Sequence, residues 1–180
     1  MATLERMVRL AGIAGMLAGV DRRSIGRANE VAKLVLKQPK LFRELMACLW
    51  HDDPLIRMRA ADAAEKVSRA NPSLLARYKP QLLGLLAETT QIELRWHFAQ
   101  MIPRLQLTPR ERQRAAGALR RYLDDRSSIV RTWALNAFTE LSQHDVSLQT
   151  ETKQLLEEAL RSGTAAMRAR ARKLLARRKD

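Results

Sequence analysis

An apolar residue followed by arginine recurs four times along the chain, and each copy opens the same hydrophobic pattern. The four pairs lie 36 to 38 residues apart and are Ile56-Arg57, Leu94-Arg95, Val130-Arg131 and Met167-Arg168. Apolar residues follow four, seven, eight and eleven positions after the first member of each pair, except where Arg178 breaks the last copy. These steps mark one face of an α-helix. A helical stripe that returns with this period predicts a helical solenoid, whose neighbouring units complete one another's core.

Turn signals divide the chain into five helical hairpins. Asp53-Pro54 and Thr108-Pro109 each place a capping side chain before a proline at the first helical position, and Glu111 completes a capping box with Thr108. Ile25 occupies the arginine column of the first hairpin, which is therefore the least regular. We predict a single all-α domain over residues 1–180. Its hairpins are expected at about 3–37, 39–69, 72–105, 108–143 and 146–178.

The third copy of the pattern carries a family resemblance. Asp125 in the turn, then Val130-Arg131 and the small residues Ala134 and Ala137, resembles the HEAT-repeat pattern. Ile56-Arg57 resembles it too, with Asp52 one place from the expected acid, whereas Thr89 and Ser162 stand at the acidic position of the other two copies. The resemblance is clearest over residues 45–178 and is to a bacterial-type small HEAT-repeat domain. It implies an armadillo-like, right-handed α-α superhelix whose second helices line a concave face, and an acid–arginine ladder that is structural.

Composition fits this fold class and constrains the compartment. A hydrophobic share of 46% with 29% charged residues is typical of a soluble globular protein, and 4% aromatic residues argues against a β-sandwich. Cys48 is the single cysteine, so an intrachain disulfide is excluded. The apolar run Leu10–Val20 faintly resembles a signal peptide, but it is too short to span a bilayer and suits a first solenoid helix. We therefore expect a cytoplasmic protein.

The charge of the chain points to an acidic partner. The net charge is +14, and residues 161–180 hold eight basic residues against one acidic residue. A strong positive field favours nucleic acid, anionic lipid or an acidic protein face without choosing among them. The alternative is a soluble, arginine-rich surface with no partner attached to it.

The inner helix of each hairpin carries the candidate binding residues. Positions three, six and ten after the apolar member of each pair lie beside the stripe, and they hold six basic residues against two acidic ones. Arginine and lysine suit phosphates, and a tryptophan can stack on a base. The alternative is an ordinary solvated helix face with Trp133 packed between repeats. The candidate binding residues are Arg59, Lys66, Arg104, Trp133, Arg170, Lys173 and Arg177, with Trp96 and His97 beside them.

Motifs for catalysis are not apparent in the sequence. Its three histidines have no metal-ligand spacing, and no phosphate loop, serine elbow or cysteine–histidine set stands out. We therefore predict no catalytic residue, no metal and no cofactor. Alkylpurine DNA glycosylases are also built from HEAT-like repeats with a basic groove, but here Trp96 is followed by no acid until Glu111.

These observations predict a non-enzymatic HEAT-like module that engages an acidic macromolecule, either nucleic acid or an acidic protein surface. Two alternatives stay open. One is a protein–protein scaffold whose positive charge is incidental, and the other is a HEAT-like alkylpurine DNA glycosylase.

Overall fold

The computed structural model describes residues 12–21 and 23–177, which form helices, turns and loops and contain no strand. Residues 3–11 of the first predicted hairpin and residue 178 of the last lie outside this range. Residues 12–17 are helical and are labelled α1. The further α-helices are α2 Ala28–Lys37, α3 Phe42–Ala47, α4 Pro54–Ala70, α5 Lys79–Glu88, α6 Ile92–Met101, α7 Pro109–Leu123, α8 Ser128–Ser142, α9 Gln149–Ser162 and α10 Ala165–Arg177. Short 3-10 helices lie at Pro39–Leu41, Cys48–Trp50, Pro72–Tyr78, Ile102–Arg104 and Val146–Leu148.

Side-chain caps fix where the long helices begin. Asp53 accepts a 2.8 Å hydrogen bond from the Leu55 N–H at the start of α4, and Pro54 occupies the first helical position. Thr108 and Glu111 form the complete capping box predicted for α7. Pro103 lies in the 3-10 turn that follows α6, where it ends the α-helix by removing a backbone donor.

The chain divides into two compact units, Met1–Arg77 and Tyr78–Asp180, called unit 1 and unit 2. In unit 1, α4 packs against both α2 and α3. The stripe read from the sequence of α4 forms its buried face, since Ala60, Ala63, Ala64 and Val67 are fully buried. Alanines on this face let the backbones of neighbouring helices approach closely, and the apolar area they bury stabilises the unit at about 25 cal/mol per Å².

In unit 2, α8 is the central helix and packs against α6, α7, α9 and α10. Its stripe residues Ala134, Ala137 and Phe138 are fully buried. The last hairpin closes on α8 through one apolar cluster. That cluster contains Leu135, Leu156, Ala159, Met167, Ala171 and Leu174. The periodic stripe is therefore the core of unit 2, as it is of unit 1.

The arginines that follow the apolar residue close the turns of their own helices. Arg57 donates to the His51 carbonyl at 2.7 Å, Arg95 to Thr89 at 2.9 Å and Arg168 to Gly163 at 2.5 Å. Arg131 departs from this pattern, because its Nε is buried without a hydrogen-bond partner among the described residues. Three of the four arginines thus stabilise turns.

An acid–arginine link of the HEAT pattern joins α6 to the turn before α8. Arg95 Nη1 lies 2.5 Å from Asp125 Oδ2, and Asp125 also accepts from the Ser127 N–H at 2.7 Å. Burial alone would raise the pKa of Asp125, but the Ser127 and Arg95 donors outweigh it and hold that pKa below its ordinary value. The Asp125 carboxylate therefore stays ionised and ties two hairpins together.

Across residues 12–21 and 23–177, every helix is too short or too polar to cross a bilayer.

Candidate functional site

Arg59 is the first of the predicted binding residues, and the structure buries it. Only 3% of the residue is exposed. Its Nη1 donates to the Leu17 carbonyl at 2.8 Å and to the Ala18 carbonyl at 2.9 Å. Nη2 donates to the Asp21 backbone carbonyl at 3.0 Å, and Nε donates to the Ser24 backbone carbonyl at 3.1 Å. All of the guanidinium nitrogens are engaged, so the expectation that Arg59 meets a ligand needs correction.

These bonds have a clear electrostatic cause. The carbonyls at the end of a helix lack partners within it and carry partial negative charge. Arg59 reaches those of α1, at Leu17 and Ala18, and then holds the loop that follows. A Cβ at Gly26 would lie 2.8 Å from the Arg59 Cζ, and the φ of Gly26 is +51°. Glycine is therefore required where the loop folds over the guanidinium.

Lys66 is also engaged inside unit 1. Its Nζ lies 2.5 Å from Asp62 Oδ2 and 2.6 Å from Asn29 Oδ1. Asp62 is on the same helix and Asn29 is on α2, so Lys66 links the two inner helices of this unit. The face of α4 that looked basic in the sequence is thus largely neutralised by its own neighbours.

In unit 2 the structure brings two predicted residues together. The Arg170 guanidinium of α10 stacks on the Trp133 ring of α8, with Cζ 4.4 Å from the ring centroid. Arg170 also donates to Asn136 Oδ1 at 3.3 Å, and Asn136 donates to Glu140 at 2.7 Å. Both members of the stack are half-buried. A cation–π contact and a side-chain amide therefore hold one arginine and one tryptophan in fixed positions at the surface.

The rest of α10 extends the positive charge beside this stack. Its sequence contains no acidic residue. The cationic residues exposed on it are Arg168, Arg172, Lys173 and Arg177, of which the last two were predicted. The helix dipole favours the cations nearest the C-terminus of α10, such as Arg177, whereas Arg168 lies near its N-terminus, where a cation is disfavoured.

Trp96 and His97 lie on α6, where their rings contact each other. Their ring centroids are 4.9 Å apart, with the ring planes tilted by 51°. His97 is only 6% exposed, so the expectation of a ligand contact there needs correction. The indole N–H of Trp96 is buried without a hydrogen-bond partner in the part of the chain that the structure describes. In this environment both rings pack against the protein.

Arg104 lies apart from these residues, at the rim of a small cleft beyond the end of α6. Arg112 and His144 line the same cleft, and sequence reasoning missed both because neither is on an inner helix. The basic segment around Arg112 was a weak signal for that residue, whereas the segment around His144 contains no Lys or Arg and gave no signal. Across the described residues, no group of three or more His, Cys, Asp or Glu side chains is placed to hold a metal ion.

Comparisons with known proteins give the fold but no family. No protein-family model and no curated protein matches the sequence. The chain is similar to the solved complex of CpcE and CpcF of phycocyanin lyase from Nostoc sp. PCC7120, at 17% identity and a TM-score of 0.63. That match covers 97% of this chain and 98% of the other. A crystal structure of an engineered protein is similar at 16% identity and a TM-score of 0.62, over 97% of this chain and 84% of the other.

The first of these comparisons contradicts one prediction. The sequence favoured a non-enzymatic protein, yet the similar structure belongs to a lyase. The absence of a familiar catalytic motif on this fold was therefore too weak a reason to exclude an enzyme. The prediction for the fold itself is confirmed: the chain has the HEAT-like, all-helical solenoid fold.

Proposed function

We propose that the chain is a helical scaffold that binds an acidic protein surface through unit 2. The Trp133–Arg170 stack forms the centre of the binding surface, and the exposed cations of α10 form its edge. The observation that carries the proposal is this stack. Tryptophan and arginine are the residues that most often dominate binding energy at protein interfaces. A pair already held in place loses little side-chain entropy on binding.

The exposed cations of α10 indicate that the partner surface is negatively charged. Lys173 and Arg177 are exposed, with no acidic residue on their helix to offset them. Exposed charges of one sign around an interface mainly raise the association rate and reject partners of the same sign. An acidic protein face is the complement of such an edge.

Two observations favour protein over nucleic acid. None of the comparisons supports a nucleic-acid partner, whereas the similar lyase structure is a complex of two proteins. Arg59 and Lys66, two of the cations expected to contact phosphates, are engaged within unit 1. A long phosphate backbone needs several accessible cations to bind strongly.

A crosslinking experiment tests the nature of the partner. A photo-reactive amino acid would replace the exposed Ala169, next to Arg170 on α10, in cells that naturally make the protein, so that both members of the Trp133–Arg170 stack are kept; the same substitution at the exposed Gln149 is the control position. We expect position 169 to give a discrete adduct with an acidic protein, resistant to nuclease and lost in Arg170→Ala. An adduct with nucleic acid, or none above the control, would overturn the proposal.

A titration tests where the charge acts. Poly-L-glutamate serves as the acidic probe, and a mixed-sequence DNA duplex is the competitor. The triple variant Arg170→Ala, Lys173→Ala and Arg177→Ala should weaken polyglutamate binding at least tenfold. The matched triple variant Arg110→Ala, Arg114→Ala and Lys153→Ala removes the same charge from exposed sites on α7 and α9. Equal loss in both variants would show that net charge, and not this surface, governs binding.

A further inference from the structure

The Trp133–Arg170 stack leaves one edge of its arginine open to a ligand. Within the described residues, the Arg170 guanidinium makes one hydrogen bond, from Nη1 to Asn136 Oδ1 at 3.3 Å. Its Nε and Nη2 are neither hydrogen-bonded nor buried there. These two nitrogens form the side edge of the guanidinium, where the planar group holds two N–H bonds parallel. The stack therefore presents one pair of parallel donors at the surface.

The positive charge of Arg170 is not neutralised by the chain around it. Its two partners, the Trp133 ring and the Asn136 amide, are both uncharged. Among the described residues, no carboxylate forms an ion pair with it. Lys66 differs in this respect, because its Nζ lies 2.5 Å from a carboxylate oxygen of Asp62. Since Arg170 is half-buried, water screens its charge less than it screens a fully exposed one, and an anion from outside gains more by binding there.

Asn136 sets the orientation of this arginine. The residue is only 5% exposed, and its Nδ2 donates to Glu140 Oε1 at 2.7 Å. Because an ionised carboxylate can only accept, the amide nitrogen must face Glu140, and Oδ1 is left to accept from Arg170. Glu140 lies one turn later on the same helix α8, so the helix itself holds the amide in place. Asn136 is therefore a positioning residue that acts through Arg170.

The free donors restrict the chemistry of the ligand. The parallel N–H bonds of an arginine edge match the two oxygens of a planar carboxylate, and such paired, charge-assisted bonds are among the strong ones in proteins. The other parallel pair of this guanidinium, Nη1 with Nη2, is interrupted by the bond to Asn136. One pair remains, and it fits one carboxylate.

The neighbouring cations of α10 do not complete a cluster around this edge. Arg168 and Arg172 are each two residues from Arg170, and residues at that spacing do not face each other on a helix. Lys173 is three residues away and on the same side, but it adds a point charge without a pair of parallel donors. Phosphate groups are typically recognised by several arginines together, so a single carboxylate is the better match.

Given the proposed function, on which this inference rests, we propose that Arg170 is a preformed receptor for one aspartate or glutamate side chain of the acidic partner. Nε and Nη2 donate to the two carboxylate oxygens, and the Trp133 ring supports the face of the guanidinium. Asn136 holds Nη1 and so fixes which edge is presented. A receptor that is already oriented loses little side-chain entropy when the carboxylate binds.

Asn136→Asp tests the assignment, with poly-L-glutamate at low salt as the probe. The introduced carboxylate accepts from Arg170 and neutralises its charge, so the affinity should fall at least fivefold. Polyglutamate should also shift the indole N–H signal of Trp133 in NMR spectra of the parent and leave it in place in this variant. Gln154→Glu adds the same charge at an exposed site on α9 and should change the affinity less than twofold. Equal loss in the two variants would refute the receptor.

Arg170→Lys tests the paired donors while the buried Asn136 stays unchanged. Lysine keeps the charge but has no parallel pair, so polyglutamate affinity should again fall at least fivefold. Arg114→Lys, at an exposed site on α7, is the matched control and should bind as the parent does. Affinity equal to the parent's in Arg170→Lys, with binding still weakened by the α10 triple variant, overturns the receptor and leaves the proposed function standing. No binding by the parent, or equal loss in both triple variants, overturns the proposed function itself.

Discussion

Replacing Arg59 with alanine should destabilise unit 1, although the sequence alone suggested a loss of binding. The guanidinium is the shared donor for four carbonyls between Leu17 and Ser24. Without it, the buried Leu17 carbonyl at the end of α1 has no donor, and the loop that follows loses its anchor. A buried acceptor left without a partner costs its full desolvation penalty.

The size of the effect follows from the exposure of each bond. The bond to Leu17 is buried, and we assign it ~1.5 kcal/mol, the lower end for a bond to a charged group. The bonds to Ala18, Asp21 and Ser24 are only part-buried, so water replaces much of each, and we assign them ~0.5 kcal/mol apiece. The total is about 3 kcal/mol, which corresponds to a change of roughly 150-fold in the folding equilibrium.

Cys48 provides the assay, because it is the single cysteine of the chain and lies buried in unit 1. Burial raises the pKa of its thiol to about 11, so labelling by a thiol reagent near neutral pH requires unit 1 to open. In a urea series, Arg59→Ala should raise the labelling rate about 100-fold, and Arg59→Lys should lie between. The exposed Arg43→Ala on α3 is the matched control and should change the rate less than twofold. A rate increase below fivefold in Arg59→Ala would refute the structural role.

Three further changes have expected outcomes. Asp125→Ala should lower the free energy of unfolding by about 2 kcal/mol in thermal denaturation, a moderate loss because Arg95 is partly hydrated. In a double-mutant cycle, Asp125→Ala and Arg95→Ala together should cost clearly less than the sum of the two single losses. Full additivity of the two losses would contradict the link. Glu111→Gln should destabilise the protein at pH 7 in urea unfolding. The bond to Lys79 lowers the pKa of Glu111 in the folded protein, so the stability that this carboxylate adds is present above about pH 4.5 and is lost as the pH falls towards 2. At that pH the free energies of unfolding of the parent and Glu111→Gln should converge. A constant difference down to pH 2 would contradict this. Gly26→Ala should cost at least ~1 kcal/mol in the same assay, since its φ of +51° is strained for residues with a Cβ, and a neutral result would show that the loop adapts.

The sequence predicted the buried core well but not which candidate binding residues are buried, for one physical reason. The apolar stripe repeats across many turns of helix, so single exceptions do not hide it, and residues such as Ala63 and Phe138 are buried where the period puts them. A helical period gives the direction in which a side chain leaves its own helix. It does not show what another segment places there. Arg59 leaves α4 in the predicted direction and meets a loop that lies 35 to 42 residues earlier in the chain.

The cleft near Arg104 was beyond sequence reasoning for a related cause. Its polar lining comes from three separate segments, and Arg112 and His144 share no spacing with Arg104 that would group them. Trp133 and Arg170 were both among the candidates because they occupy the same position of successive repeats, three places after the apolar residue, but their stacking was not predicted. Repeat symmetry thus groups equivalent positions, whereas sites built from dissimilar segments need coordinates.

The bonds of Arg59 also bear on the order of folding and on where the chain can be cut. Most contacts in a helical repeat array join adjacent segments, and such arrays can often be shortened by whole repeats. Here the loop after α1 receives its central donor from α4, so it can reach its native shape only once the following hairpin has formed. A fragment that ends before residue 59 would keep the sequence of the first hairpin and lose the group that shapes its turn. We therefore expect the smallest fragment of unit 1 that folds to contain both hairpins.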